Sequence, residues 1–84
     1  MLTVTVISPE AVLFEGDAES VIAPAFDGEL GILTGHAPMM TLLGKGTLRI
    51  DSAGAAGRRF SVDGGFLQVA DNQVRVVTER ASTA

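Results

Sequence analysis

The side chains that could carry chemistry are few, and three of them occur within one short segment. Asp27 and Glu29 are separated by a single glycine, and His36, the only histidine, follows in the same segment. A histidine can act as a general base, and two carboxylates can act as acid and base when a cleft holds them at a set separation. One hypothesis is therefore a small ligand-binding β-barrel or an enzyme that uses His36 with Asp27 and Glu29.

The rest of the sequence offers little support for a catalytic or metal site. His36 has no second histidine and no cysteine with which to share a metal, and a general base also needs an orienting partner. The DGG sequence at residues 63–65 lacks the Lys-Ser/Thr pair of a phosphate-binding loop. We therefore expect no catalytic residue, no metal site and no cofactor. In the simpler interpretation His36 anchors a turn or contacts a partner, while Asp27 and Glu29 form a solvated edge or a charged contact.

Composition narrows the class of protein further. The chain has 84 residues and a net charge of -4, which suits one domain over residues 1–84 with a modest core. Its longest basic run is the pair Arg58-Arg59, so binding to nucleic acid is disfavoured. No apolar run approaches the roughly 20 residues that cross a bilayer, so we expect membrane contact only through a partner. Because 46% of the residues are hydrophobic, some of them are expected to face a partner protein.

Short alternating runs of apolar and polar residues predict the elements that position these side chains. The predicted strands lie at residues 2–7, 12–15, 19–24, 47–51, 58–62, 66–70 and 73–78. The predicted turns lie at residues 16–17, 45–46, 52–57, 63–65 and 71–72, and residues 79–84 are expected to fray. No segment has the caps and period of a helix. The pattern predicts an all-β fold, a small β-sandwich or barrel of short antiparallel strands.

The segment at residues 27–43 interrupts this regular pattern. Gly28, Gly31, Gly35 and Pro38 break it up, and its apolar residues do not keep the period of one helix. We interpret it as a structured loop with short extended pieces, which is where a binding function most often resides. Its two methionines, at 39 and 40, could fill the core or form an adaptable binding surface.

Several stretches resemble one known family in the same order along the chain. Residues 28–43 read GELGILTGHAPMMTLL, where that family typically reads GELGILPGHAP followed by an apolar run. GTLRI, FSVDGGFLQV and NQVRVVTERA follow at residues 46–50, 60–69 and 72–81, and VTVISPEAVLFEG stands near the start. By these motifs nearly the whole chain is similar to the epsilon subunit of the rotary F-type ATP synthase. One difference is Thr34, where the family usually has proline.

The resemblance implies a fold, partners and a location. In that family a small β-sandwich at the foot of the central stalk binds the gamma subunit, rests on the ring of membrane c subunits and rotates with them. It is a non-catalytic rotor subunit that couples ion translocation to ATP synthesis, peripheral on the cytoplasmic face of the cell (inner) membrane. Family members usually continue into a helical hairpin, which we do not expect within residues 1–84. The residues expected to contact gamma or the c-ring are Glu29, His36, Asp27, Leu30, Gly31, Met39 and Met40.

Overall fold

Eight β-strands make up most of the structure, a computed structural model that describes residues 1–52 and 57–83. They are β1 (Leu2–Ile7), β2 (Val12–Ala18), β3 (Ser20–Ala25), β4 (Gly28–Leu33), β5 (Met39–Leu42), β6 (Lys45–Asp51), β7 (Arg58–Ala70) and β8 (Gln73–Thr83). The prediction of an all-β fold is confirmed. No helix that could cross a membrane occurs in the described residues.

The two longest strands, β7 and β8, run through both layers of the sandwich. β5 pairs with the second half of β7, whereas β6 pairs with its first half. The first layer therefore has the order β2-β1-β8-β7-β5, and the second has the order β8-β7-β6-β3-β4. All pairs are antiparallel except β1 with β8, which are parallel, so the expectation of antiparallel strands is wrong for that one pair.

The core lies between the two layers and is lined by one face of each strand pair. Alternate residues of each strand point between the layers, so the period-2 pattern read from the sequence matches the observed burial. The buried residues on these faces include Leu2, Val4, Val6, Val21, Ala23, Leu48, Ile50, Phe60, Val62, Leu67, Val69, Val74 and Val76.

The turn predicted at residues 63–65 is wrong, because β7 continues through it. Gly64 and Gly65 have positive φ angles of 78° and 107°, and they bend the strand where it passes from one layer to the other. The partner strand β8 keeps its register across this corner, with Asp63 opposite Arg80 and Gly65 opposite Thr78. An Asp-Gly pair favours a hairpin locally, but the continuous pairing with β8 stabilises an extended bend instead.

Pro24 lies inside β3, which continues to Ala25, one residue past the end of the predicted strand. The carbonyl oxygen of Pro24 accepts a hydrogen bond from the Gly44 N–H at 2.8 Å. Any other residue at this position would direct its N–H toward the same side of the strand as that carbonyl oxygen. Pairing between β3 and β6 extends only from Ser20 to Ile22, so no ladder bond is lost at the proline. The position therefore tolerates a residue that lacks a donor.

Three further boundaries differ from the predictions because distant strands extend the ladders. The predicted turn at 16–17 is wrong, since Gly16 and Asp17 pair with β1. The predicted turn at 45–46 is also wrong, since β6 begins at Lys45 opposite Asp63. Residues 79–83 do not fray but pair with the first half of β7. The turn predicted at 71–72 is confirmed, whereas most of the turn predicted at 52–57 lies outside the described residues.

Candidate partner-binding surface

The segment at residues 27–43 is two strands joined by a short loop, so the extended pieces expected in it are present and the irregular part is shorter than expected. Its extended pieces are the strands β4 and β5. Asp27 lies with Phe26 in the two-residue turn between β3 and β4, where Ala25 pairs with Gly28. The remaining irregular part is residues 34–38, which connect the edge strand of one layer to the edge strand of the other.

The structure does not bring the two carboxylates to the histidine. Glu29 stands near the beginning of β4, and the His36 N–H donates to the Leu33 carbonyl oxygen at the end of that strand, at 3.1 Å. A strand rises about 3.3 Å per residue, so Glu29 and Leu33 are about 13 Å apart. This separation is far beyond hydrogen-bond reach, so the hypothesis of an enzyme that uses these three residues loses its geometric basis.

His36 is partly buried, and within the described residues its hydrogen bonds are to neighbouring residues of the chain. Its Nδ1 atom lies 2.8 Å from the carbonyl oxygen of Ala37. No group of three or more potential metal ligands is found within residues 1–52 and 57–83. His36 therefore shapes the loop at residues 34–38 and presents a polar ring at the end of the sandwich.

The predicted contact residues of β4 divide between its two faces. Leu30 packs against the core, whereas Glu29 and Gly31 are exposed on the outer face together with Leu33. Among the strands of the described residues, β4 pairs with β3 alone and is therefore an edge strand.

The two methionines also divide between core and surface. Met39 packs against the core, and Met40 is 64% exposed on the outer face of β5. Met39 thus fills the core and Met40 lies on the surface, because successive side chains of a strand point to opposite faces.

An apolar stripe crosses the whole outer face of the first layer. Leu42 of β5 lies opposite Phe66 of β7, which lies opposite Val77 of β8. Val77 lies opposite Ile7 of β1, and Ile7 lies opposite Val12 of β2. The two ends are the most open, with Leu42 63% and Val12 59% exposed, and the three central residues are half-buried. We call these five residues the outer stripe.

Phe26 extends this apolar surface beyond the β5 edge. Its N–H donates to the Leu42 carbonyl oxygen at 3.0 Å, and its side chain is 67% exposed. Phe26 is not among the residues predicted from the sequence, although a phenylalanine in a two-residue turn, where polar residues are usual, is a detectable signal. The stripe itself has no such signal, because it requires the strand order. A row of partly exposed apolar side chains of this kind is a candidate interaction surface.

Polar residues border the outer stripe on the same face. The adjacent row across the layer is Met40, Gln68, Arg75, Thr5 and Glu15. Four of these five residues are polar or charged, so an apolar centre passes into a polar rim within one row. Protein–protein interfaces have this arrangement.

Comparison with known proteins identifies the family. The family described as "ATP synthase, Delta/Epsilon chain, beta-sandwich domain" matches residues 1–84. The chain belongs to this family. It is similar to the ATP synthase epsilon chain of Leptospira borgpetersenii, with 42% identity over 81 residues that cover 96% of this chain and 63% of that protein. The epsilon chain of a Synechococcus strain is 44% identical over 80 residues, 95% of this chain and 58% of that protein.

These relatives are longer than the chain, which spans about three fifths of their length.

Solved structures confirm the fold. A chain in the Euglena gracilis mitochondrial ATP synthase superimposes with a TM-score of 0.90 at 23% identity, covering 98% of this chain and 52% of that one. A chain in the Tetrahymena thermophila central stalk and c-ring superimposes with a TM-score of 0.81 at 20% identity, covering 98% and 66%.

Proposed function

We propose that this chain is a non-catalytic rotor subunit in the central stalk of an F-type ATP synthase. In this role it links the gamma subunit to the c-ring, so that ion translocation is coupled to ATP synthesis. Membership of the delta/epsilon family supports the proposal, as do the relatives named epsilon chain. The structural neighbour from the Tetrahymena central stalk and c-ring agrees with it. The observation that carries the proposal is the outer stripe, an apolar surface with a polar border that suits a protein partner.

The outer stripe is the proposed docking surface for the gamma subunit. Its residues lie on five hydrogen-bonded strands, so their positions are set before binding and little conformational entropy is lost on docking. Phe26 and Leu42 are the proposed anchors, because both are more than 60% exposed and their backbones are joined by a hydrogen bond. Large apolar side chains that become fully buried contribute most to such interfaces.

The edge strand β4 and the loop after it form the second proposed contact, directed at the c-ring. Glu29 and Gly31 are exposed on β4, and His36 lies in the loop that follows, so they are placed to meet a second partner. Asp27 adds a second carboxylate at the β3–β4 turn, and Met40 adds an apolar contact on β5. Leu30 and Met39 complete the proposed set from the core side, where they support these exposed neighbours.

In this arrangement the domain lies between the gamma subunit and the c-ring and transmits torque as a rigid body. Rigidity follows from the continuous pairing of β7 and β8 through both layers, which makes the two layers move as one body. Transmitting torque in this way requires no covalent chemistry from this chain. The proposed location is peripheral, on the cytoplasmic face of the cell (inner) membrane, with membrane contact only through the complex.

The test compares two exposed leucines of edge strands. Leu42 is 63% exposed on the outer stripe, and Leu33 is 64% exposed on β4, away from it. We expect Leu42→Ser to weaken binding to purified gamma subunit by about tenfold or more, since it removes roughly 1.5–3 kcal/mol of apolar burial. Leu33→Ser is the matched control and should leave gamma binding unchanged. Equal affinities for the two variants would refute the docking surface.

Association with the complex is tested separately. The tagged chain should co-purify with gamma and c subunits from detergent-solubilised membranes of its host. Recovery of the chain free of both subunits, under conditions that keep the synthase intact, would contradict the rotor assignment.

A further inference from the structure

The loop at residues 34–38 is tied to a distant turn by one side chain. The Gly35 N–H donates to the Oδ1 atom of Asn72 at 2.7 Å. The other hydrogen bonds of this loop are local, from the His36 N–H to Leu33 and between the His36 ring and Ala37. Within residues 1–52 and 57–83, the Asn72 contact is the one hydrogen bond that joins the loop to another segment.

Asn72 is itself held firmly in place. It occupies the second position of the turn between β7 and β8, with φ angles of 50° for Asp71 and 60° for Asn72. Its carbonyl oxygen accepts a hydrogen bond from the Thr3 N–H at 2.8 Å, which joins the turn to β1. Asparagine is one of the few residues other than glycine that adopts this left-handed conformation readily. The turn would accept glycine equally well, but glycine would provide no acceptor for the loop.

We propose that Asn72 is a positioning residue for the partner contact of the loop, an inference that rests on the proposed function. Its side-chain oxygen holds the Gly35 amide and thereby sets the place of His36 and Pro38 at the end of the sandwich. Without it, the loop has only its own local hydrogen bonds and must be ordered when the c-ring binds. Ordering a loop on binding lowers affinity, whereas a loop ordered in advance does not carry that penalty.

The decisive variant is Asn72→Gly, because it removes the acceptor and preserves the turn. An Asp-Gly pair is favoured at the two central positions of this turn type, so the fold is retained. Asn72→Asp keeps an acceptor oxygen at the same reach and should restore the contact. Asp71→Gly is the matched control, since it introduces a glycine at the neighbouring left-handed position and leaves the Asn72 side chain intact.

Amide hydrogen exchange, measured by NMR on the protein, reports directly on the hydrogen bond of the Gly35 N–H. We expect Asn72→Gly to speed exchange at Gly35 by about 2- to 10-fold, the effect of losing one hydrogen bond. Asn72→Asp should return exchange to near the original rate, and Asp71→Gly should not change it. Unchanged exchange at Gly35 in Asn72→Gly, or an equal increase in Asp71→Gly, would overturn the proposal.

Cross-linking in the assembled synthase measures how closely the loop at residues 34–38 approaches the c-ring. With His36→Cys and a cysteine on the c-subunit loop, Asn72→Gly should slow disulfide formation by about 2- to 10-fold, and Asn72→Asp should restore it. Faster exchange at Gly35 with unchanged cross-linking would overturn the positioning role. If His36→Cys forms no cross-link even with Asn72 intact, the proposed ring contact is wrong, and Asn72 then has no partner contact to position.

Discussion

Replacing Gly65 tests whether the corner of β7 requires a glycine for steric reasons. A Cβ atom at this position would overlap the carbonyl oxygen of Val77 and lie 2.7 Å from the Cα atom of Thr78. Both of these belong to the backbone of β8, which cannot move without breaking its ladder. Gly64 is the matched control, because its φ is also positive but a Cβ there meets only the flexible Glu79 side chain, at 3.2 Å.

The expected loss of stability follows from two contributions. A non-glycine residue held in such a backbone conformation costs about 1–3 kcal/mol, and this strain applies to Gly64→Ala and Gly65→Ala alike. Overlap with packed atoms adds about 1–3 kcal/mol, and this contribution applies to Gly65→Ala alone. The free energy of unfolding should therefore fall by about 2–6 kcal/mol in Gly65→Ala. A domain of this size has only roughly 4–13 kcal/mol in total.

Chemical denaturation of both variants measures this difference. The midpoint of Gly65→Ala should be clearly lower than that of Gly64→Ala, with the same slope against denaturant if the folded state is unchanged. Thermal unfolding should show the same order, with a shift of about 4–8 °C for each kcal/mol. Equal destabilisation by the two substitutions would refute the close approach of β8 as the reason for Gly65.

Three further outcomes are expected. The buried Thr78 hydroxyl lies 3.1 Å from the Gly64 carbonyl oxygen and 2.8 Å from that of Arg80. Thr78→Val should therefore lower the free energy of unfolding by about 1–3 kcal/mol, whereas Thr78→Ser should retain most of it, as measured by urea denaturation. Asp51 forms an ion pair with Arg49 at 3.0 Å on the surface, so Asp51→Asn should cost at most about 1 kcal/mol and less at high salt. Glu29→Lys should weaken assembly with the c-ring by about 1 kcal/mol, seen as reduced co-purification, whereas the neutral Glu29→Gln should show a smaller loss.

The side of each strand that faces the core could be predicted because it depends only on neighbouring residues. Leu48 and Ile50, or Val74 and Val76, alternate with polar residues, and a period of two puts them on one face in any β-sheet. The turn at Asp71 is equally local. The all-β fold and the family followed from the same short patterns, read in order along the chain.

The placement of the candidate site could be predicted only in part. The sequence singled out Glu29 and His36 as residues of an unusual segment and suggested that they share one loop. Glu29 is instead part of β4, which forms because it pairs with β3, and His36 follows the end of that strand. The two residues therefore lie toward opposite ends of β4. Phe26 was not predicted because the two-residue turn that exposes it depends on the pairing of β3 with β4.

The strand period, the inward side chains and the family are properties of adjacent residues, so the order of amino acids alone was enough to predict them. Which strands meet depends on the folded chain as a whole. The outer stripe exists because β1 pairs in parallel with β8, and the corner at Gly65 because β8 keeps its register past the bend. Asn72 meets Gly35 for the same kind of reason. Such contacts join residues far apart in the chain, and the energy that selects them comes from burying the common core of both layers rather than from any local preference.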